Sequence, residues 1–217
     1  MLAHPITLFV DGYFTSSWDA ACYVTLIEKQ LEFTTARALL RDGQGVPAAL
    51  HEHTAIARIP AFQHGDFWLT ESLAIVEYLE DAFPPPQHPS VFPTEPHQRG
   101  RMRQIMSWLR SDMIALRIER PWQCAIYAIE LPPLSREAER YATELCDLVT
   151  RLETTKELPS WTIAHAELAF ALLRLVRGGD EVPAVVQRFL DRELARPSVR
   201  SYLDHARPPH PPPYARS

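Results

Sequence analysis

Six prolines fall between residues 84 and 96, in the stretch PPPQHPSVFPTEP. Each lacks a backbone N–H and its ring clashes with the preceding turn, so no helix can run through this segment. The chain must therefore fold as two pieces joined by a linker, and 217 residues with 46% hydrophobic content can supply two cores. The expected divisions are residues 1–83, a linker at 84–96, a second domain at 97–205 and a mobile proline-rich tail at 206–217.

The first piece reads as a mixed domain. ITLFV, Ile6 to Val10, is a short apolar, β-branched strand ending at Asp11-Gly12. Thr15, Ser16 and Ser17 then precede a helical pattern in Ala20, Tyr23, Val24 and Ile27, so one of the three hydroxyls is expected to cap it. Leu31 to Leu39 reads as a second strand, which favours a βαβ unit with a parallel pair. Pro47 to His53 fits a short helix. Arg58 to Phe62 and Phe67 to Leu69 flank His64-Gly65-Asp66 as two strands around a tight turn. A helix follows from LTESLAIVEYLED, with Thr70 or Ser72 as cap, Ile75, Tyr78, Leu79 and Ala82 inward, and Glu77, Glu80 and Asp81 outward. The order is β-α-β-(α)-β-β-α.

The second piece reads as all helix. His97 to Ile118 is expected to be one long helix, on which Arg103, Arg110 and Arg117 form a stripe with Asp112 and Glu119 as partners. Ser135 opens a helix whose apolar stripe runs from Ala138 to Leu152, and IAHAELAFALLRLV, Ile163 to Val176, is apolar nearly all round and is expected at the centre of a bundle. Shorter helices follow over Val185 to Leu194 and Pro197 to Leu203.

Composition excludes several function classes. A formal charge of −5 and a pI near 6.0 leave no basic footprint for nucleic acid. No run approaches about 18 apolar residues and no signal pattern opens the chain, so a cytoplasmic, non-membrane protein is expected. Cys22, Cys124 and Cys146 are odd in number and far apart, as expected of reduced, packed thiols. His51 and His53 do not share a helical face, and no metal site is read from the histidines. Glu71 is the informative residue: a carboxylate beside the unpaired N–H groups of a helix start suits a ligand carrying both an ammonium and a carboxylate.

The β-α-β-β-β-α domain, proline linker and helical domain together resemble the layout of glutathione S-transferases. TESLAIVEYLED resembles the family's Glu-Ser pair and following helix, RIPAF its strand opening on a cis-proline, and ARPSVRSYL its final helix. RQIMSWLRSDM and ERP are similar to the bacterial YfcF-type subgroup. The resemblance implies a thioredoxin-like N-terminal domain, a C-terminal helical bundle, glutathione as co-substrate and a homodimer. It further implies that Glu71 faces the ammonium and Ser72 the carboxylate of the γ-glutamyl group, and that Ile59, turned by a cis Pro60, pairs with the cysteinyl backbone. Arg58 or His53 would meet a carboxylate of the tripeptide. Arg110 or Asp112 would border the electrophile pocket or the dimer cleft.

The chemistry implied is stabilisation of the glutathione thiolate by a hydroxyl after the first strand. Ser16 is the expected donor, with Ser17 next and Tyr13 third; the alternative is that Ser16 or Ser17 only caps the helix. Ser17 stands where the family commonly has proline. Cys22 lies more than a turn inside the helix, which argues against disulfide exchange. The activities implied are attack on a small hydrophobic electrophile and reduction of organic peroxides; the competing reading is a glutathione-binding or assembly module with little catalysis. At the buried helix, Thr162 and His165 stand where the family has a hydroxyl and an Asp. A histidine there is expected to be a poor acceptor for the cap N–H, so that His165→Asp would raise thermal stability.

Overall fold

The computed structural model describes residues 4–40, 45–127, 129, 131–158 and 160–207. The chain forms two compact units, one ending at Ser90 and rejoined by the segment from Asp204, the other spanning Val91–Leu203.

In the first unit, β1 (Ile6–Asp11), α1 (Ser17–Glu28), β2 (Thr34–Ala38), α2 (Ala48–His53), β3 (Ala61–His64), β4 (Phe67–Thr70) and α3 (Ser72–Ala82) follow in order. The sheet order is β2-β1-β3-β4. β1 and β2 are parallel, which requires the crossover supplied by α1, and β3 and β4 are antiparallel to their neighbours. This is the thioredoxin-like arrangement expected. Gly65, at φ 59°, supplies the positive φ that a two-residue hairpin loop needs at its first position. Leu8, Val10, Val24, Leu26, Phe62, Ile75 and Leu79 are fully buried between sheet and helices, each contributing about 1.5–3 kcal/mol by leaving water.

Two expectations fail around α3. Neither Thr70 nor Ser72 caps it: Glu71 occupies the N-cap position without a side-chain cap bond, and the Thr70 hydroxyl donates to Ile56 O at 2.8 Å. Glu80, expected outward, is buried, where its Oε2 accepts from Lys29 Nζ at 2.8 Å and its Oε1 accepts from the Ser90 hydroxyl. Helical spacing permits this because position 80 borders the face of Val76 and Leu79, and Lys29, itself fully buried, arrives from α1 with its charge. Lys29 Nζ also donates to Pro89 O at 3.1 Å. The proline stretch is non-helical from residue 84 to 95, and its last proline, Pro96, opens the next helix.

The second unit contains α4 (Pro96–Ser111), α5 (Ile114–Glu119), α6 (Trp122–Tyr127), α7 (Arg136–Thr155), α8 (Ile163–Arg177), α9 (Ala184–Leu194) and α10 (Pro197–Leu203). α8 is buried on nearly every side and packs against α4, α6, α7 and α9, as its sequence led us to expect. Ser135 caps α7, its hydroxyl accepting from Ala138 N at 3.3 Å. The single helix expected from His97 to Ile118 is interrupted after Ser111. The Ser111 hydroxyl donates to Asp112 and to Ser107 O, so local side-chain bonds compete with the helical ladder there. α6 was not foreseen. The proline-rich tail beyond Arg207 lies outside the described residues.

His165 also departs from expectation. The Thr162 N–H donates to His165 Nδ1 at 3.1 Å, so the ring serves as the acceptor that a carboxylate would otherwise provide. It can do so because burial pushes its pKa down and keeps the ring neutral, against the opposing field of Glu193.

Candidate functional site

The strand register brings the expected site residues to one end of the sheet. Phe9 pairs with Ala61, and Ala61 pairs with Thr70. The C-terminal end of β1, the start of β3 and the end of β4 therefore lie side by side. From that edge emerge the loop into α1, the Ile59-Pro60 step before β3, and the start of α3. The Ile59-Pro60 peptide is cis. Cys22 Sγ, 3.8 Å from Ser72 O, ties α1 to the first turn of α3. Two helix N-termini thus open beside one strand end, and each offers N–H donors and positive potential.

Ser16 is the N-cap of α1; its hydroxyl accepts from Asp19 N at 3.2 Å. A hydroxyl that accepts one bond still has a hydrogen to give, so capping and donation to a ligand are compatible. Ser17 is the first residue of α1 and is buried. Tyr13 lies half-buried in the loop, next to Phe14 at φ 51°.

Beneath Ser16 sits a pair of acids that the sequence reading did not single out. Asp11 Oδ2 accepts from Thr15 N at 3.0 Å and from Thr15 Oγ1 at 2.5 Å. Asp19 Oδ2 accepts from Asp11 N at 2.6 Å. Both carboxyls are essentially sealed from solvent, at 2% and 0% exposure. Burial pushes the Asp19 carboxyl up to about 8, with Asp11 adding to the rise and the bonds from Asp11 N and Ser16 opposing it. The available signal was an acid in the first turn of a helix otherwise composed of apolar and small residues.

At the second helix mouth, Glu71 adopts φ 72°, a region in which a non-glycine residue costs about 1–3 kcal/mol and which occurs preferentially at ligand sites. Its carboxylate is half exposed and pairs with Arg58 Nη1 at 2.8 Å. Ser72, buried, is the first residue of α3. Arg58 therefore sits with Glu71 at the expected γ-glutamyl position. The His53 ring stacks on Trp68, with centroids 5.3 Å apart.

The family model for the glutathione S-transferase N-terminal domain matches residues 5–81, and that for the C-terminal domain matches residues 95–206. The chain belongs to the glutathione S-transferase family. A glutathione transferase homolog from Burkholderia, solved with bound glutathione, is 30% identical with a TM-score of 0.72, over 92% of this chain and 96% of that one. Glutathione S-transferase theta-1 of Rattus norvegicus is 23% identical over 137 residues, 63% of this chain and 56% of that protein. A stringent starvation protein A homolog of Histophilus somni is 31% identical over 120 residues, 54% of this chain and 47% of that protein. The chain spans about half the length of these curated relatives.

Elsewhere in the chain, Arg110 does not pair with Asp112. It forms a two-pronged pair with Glu167 of α8, at 2.6 and 2.7 Å, and Asp112 is exposed beside Ser111. Glu119 accepts from Ser135 N and Oγ at 2.7 and 2.6 Å rather than facing the arginine stripe. Cys22, Cys124 and Cys146 are free and buried, and burial pushes Cys146 up to about 11, which suits a packed thiol. Among the described residues no helix is long and apolar enough to cross a membrane.

Proposed function

We propose that this protein is a glutathione transferase in which the Ser16 hydroxyl stabilises the glutathione thiolate for attack on a small hydrophobic electrophile. The observation that carries this reading is the register that sets the α1 mouth, the cis Ile59-Pro60 step and the α3 mouth along one sheet edge. Glu71 and Ser72 anchor the γ-glutamyl group, Ile59 offers backbone pairing to the cysteinyl unit, and Ser16 donates to sulfur. Ser16 is preferred to Ser17 because it occupies the cap position and is partly exposed, whereas Ser17 is buried. The α1 N-terminus adds positive potential that favours the thiolate. The same thiolate would reduce an organic peroxide: sulfur takes one peroxide oxygen and releases an alcohol, and a second glutathione displaces water to give the disulfide. A homodimer accompanies this reading as a family expectation, and the YfcF-type likeness supports serine as the hydroxyl.

Glutathione-affinity retention combined with a conjugation assay tests the reading. Ser16→Ala should stay on immobilised glutathione and lose about 100- to 1000-fold in turnover, the range expected for removing a donor to an anion. Glu71→Gln should be lost from the resin. Undiminished turnover in Ser16→Ala rejects the serine assignment. A second reading, a glutathione-binding or assembly module with little catalysis, rests on Ser17 standing where the family commonly has proline; wild-type retention without turnover would establish it.

A further inference from the structure

Ser16 follows a loop whose shape is not self-supporting. Phe14 stands at φ 51°, in the left-handed region that a bulky residue rarely enters, and such a conformation persists only where its surroundings over-determine it. On one side β1 does this: Phe14 N donates to Asp11 O at 2.8 Å, and Thr15 N and Oγ1 both donate to Asp11 Oδ2. The other side is held from the far end of the chain, whose residues from Asp204 onward belong to the same compact unit. Arg207 Nε donates to Phe14 O at 3.1 Å, across 193 positions of sequence, and His205 stacks on the buried Phe14 ring with centroids 4.0 Å apart. The His205 ring also meets the edge of Tyr23 at 5.2 Å, so it spans the loop and α1. Arg207 Nη1 donates to His205 O at 2.9 Å, which ties the two residues to each other. Arg37 of β2 completes the enclosure, with its guanidinium over the Phe14 ring at 4.9 Å.

Ser16 comes two residues after Phe14 and is tied on its other side to α1, where Ala20 N donates to its carbonyl at 3.1 Å and Asp19 N to its hydroxyl at 3.2 Å. How the Phe14 carbonyl is turned against that fixed helix start therefore sets the direction in which the hydroxyl is presented. A hydrogen bond weakens steeply with angle and separation, and a misplacement of about 1 Å can cost about 100-fold in rate. We propose that His205 and Arg207 are positioning residues for Ser16: acting through Phe14, they hold the loop in the shape that brings the serine hydroxyl to the glutathione sulfur. This rests on the reading of Ser16 as the sulfur donor. The ring stack fixes the Phe14 side chain, and the charge-assisted bond from Arg207 fixes its peptide plane. Thiol activation is then separable from anchorage, because the proposed γ-glutamyl anchor, Glu71 and Ser72, belongs to the start of α3.

The test reads the ionisation of bound glutathione on the full chain, from the ultraviolet absorbance of its thiolate against pH. Beside it runs the affinity for S-methylglutathione, which keeps the γ-glutamyl group and has no thiol. His205→Ala combined with Arg207→Ala should raise the midpoint of the bound thiol by about one pH unit, a tenfold loss of thiolate below it, and leave the S-methylglutathione affinity unchanged. His205→Phe combined with Arg207→Lys keeps a ring and a donor, and should return the midpoint to the wild-type value. Arg207→Ala alone should raise the midpoint in the same direction, and it carries the test should the double alanine variant not fold. Ser16→Ala is the reference for a lost donor and should raise the midpoint at least as far. An unchanged midpoint in a folded alanine variant, with Ser16→Ala raising it, overturns the proposal and leaves the serine assignment standing. A loss of S-methylglutathione affinity in step with the midpoint overturns it too, since it marks a general loosening of the unit. An unchanged midpoint in Ser16→Ala rejects the serine assignment and the proposal with it.

Discussion

At His165 the nitrogen that accepts the Thr162 N–H is also the atom a proton would occupy. Burial lowers the folded-state pKa below 6.5, so the interaction is complete above that value and is lost as pH falls below it. His165→Ala should lower stability by about 1 kcal/mol at neutral pH, the usual cost of a lost cap acceptor. That deficit should shrink in mildly acidic buffer, because the wild type is then losing the same bond; melting curves at two pH values measure it. The sequence reading treated the histidine as a poor cap because it weighed the charged ring, whereas burial selects the neutral one. The same cause explains why Asp19 was missed: in the sequence it is only an acid near a helix start, and full burial beside Asp11 is what changes its chemistry.

At the scale of elements, α3 joins the proposed glutathione site at its first residue to a buried ion pair at its far end. Glu80 is 5% exposed and Lys29 0%, with the Ser90 hydroxyl and Pro89 carbonyl completing the cluster. Removing one partner from such a pair leaves an uncompensated buried charge, so Lys29→Met should cost about 3–5 kcal/mol. Lys29→Met combined with Glu80→Leu should recover most of that loss, read from urea midpoints followed by tryptophan fluorescence. The start of α3 was legible as a helix mouth, since Thr-Glu-Ser stands before an amphipathic run. Which residue occupies the cap was not, because Thr70 is drawn off to Ile56 O and the choice is made by a loop distant in sequence. The break between α4 and α5 escaped notice for a similar reason: apolar periodicity continues across it while Ser111 and Asp112 form their own bonds.

Over the whole molecule, the chain returns to its first unit after α10. His205 stacks on Phe14 with centroids 4.0 Å apart, and Arg207 Nε donates to Phe14 O at 3.1 Å, which braces the loop carrying Ser16 from the other end of the chain. His205→Ala combined with Arg207→Ala should speed hydrogen exchange at residues 13–16 by about tenfold, equivalent to about 1.4 kcal/mol of lost local stability, while exchange in α8 stays unchanged. By itself, the sequence determined the two-part architecture, the β-α-β-β-β-α order and the wholly buried α8, and it placed Glu71 at the mouth of a helix. These follow from proline's missing donor, from periodicity and from capping chemistry, all of which act over a few residues. Tertiary structure alone decided that Arg58 faces Glu71, that Arg110 is held by Glu167, that Glu80 is buried with Lys29, and that Asp19 is sealed beneath Ser16. Charge pairing and desolvation depend on which distant segments meet, and local pattern carries no record of that.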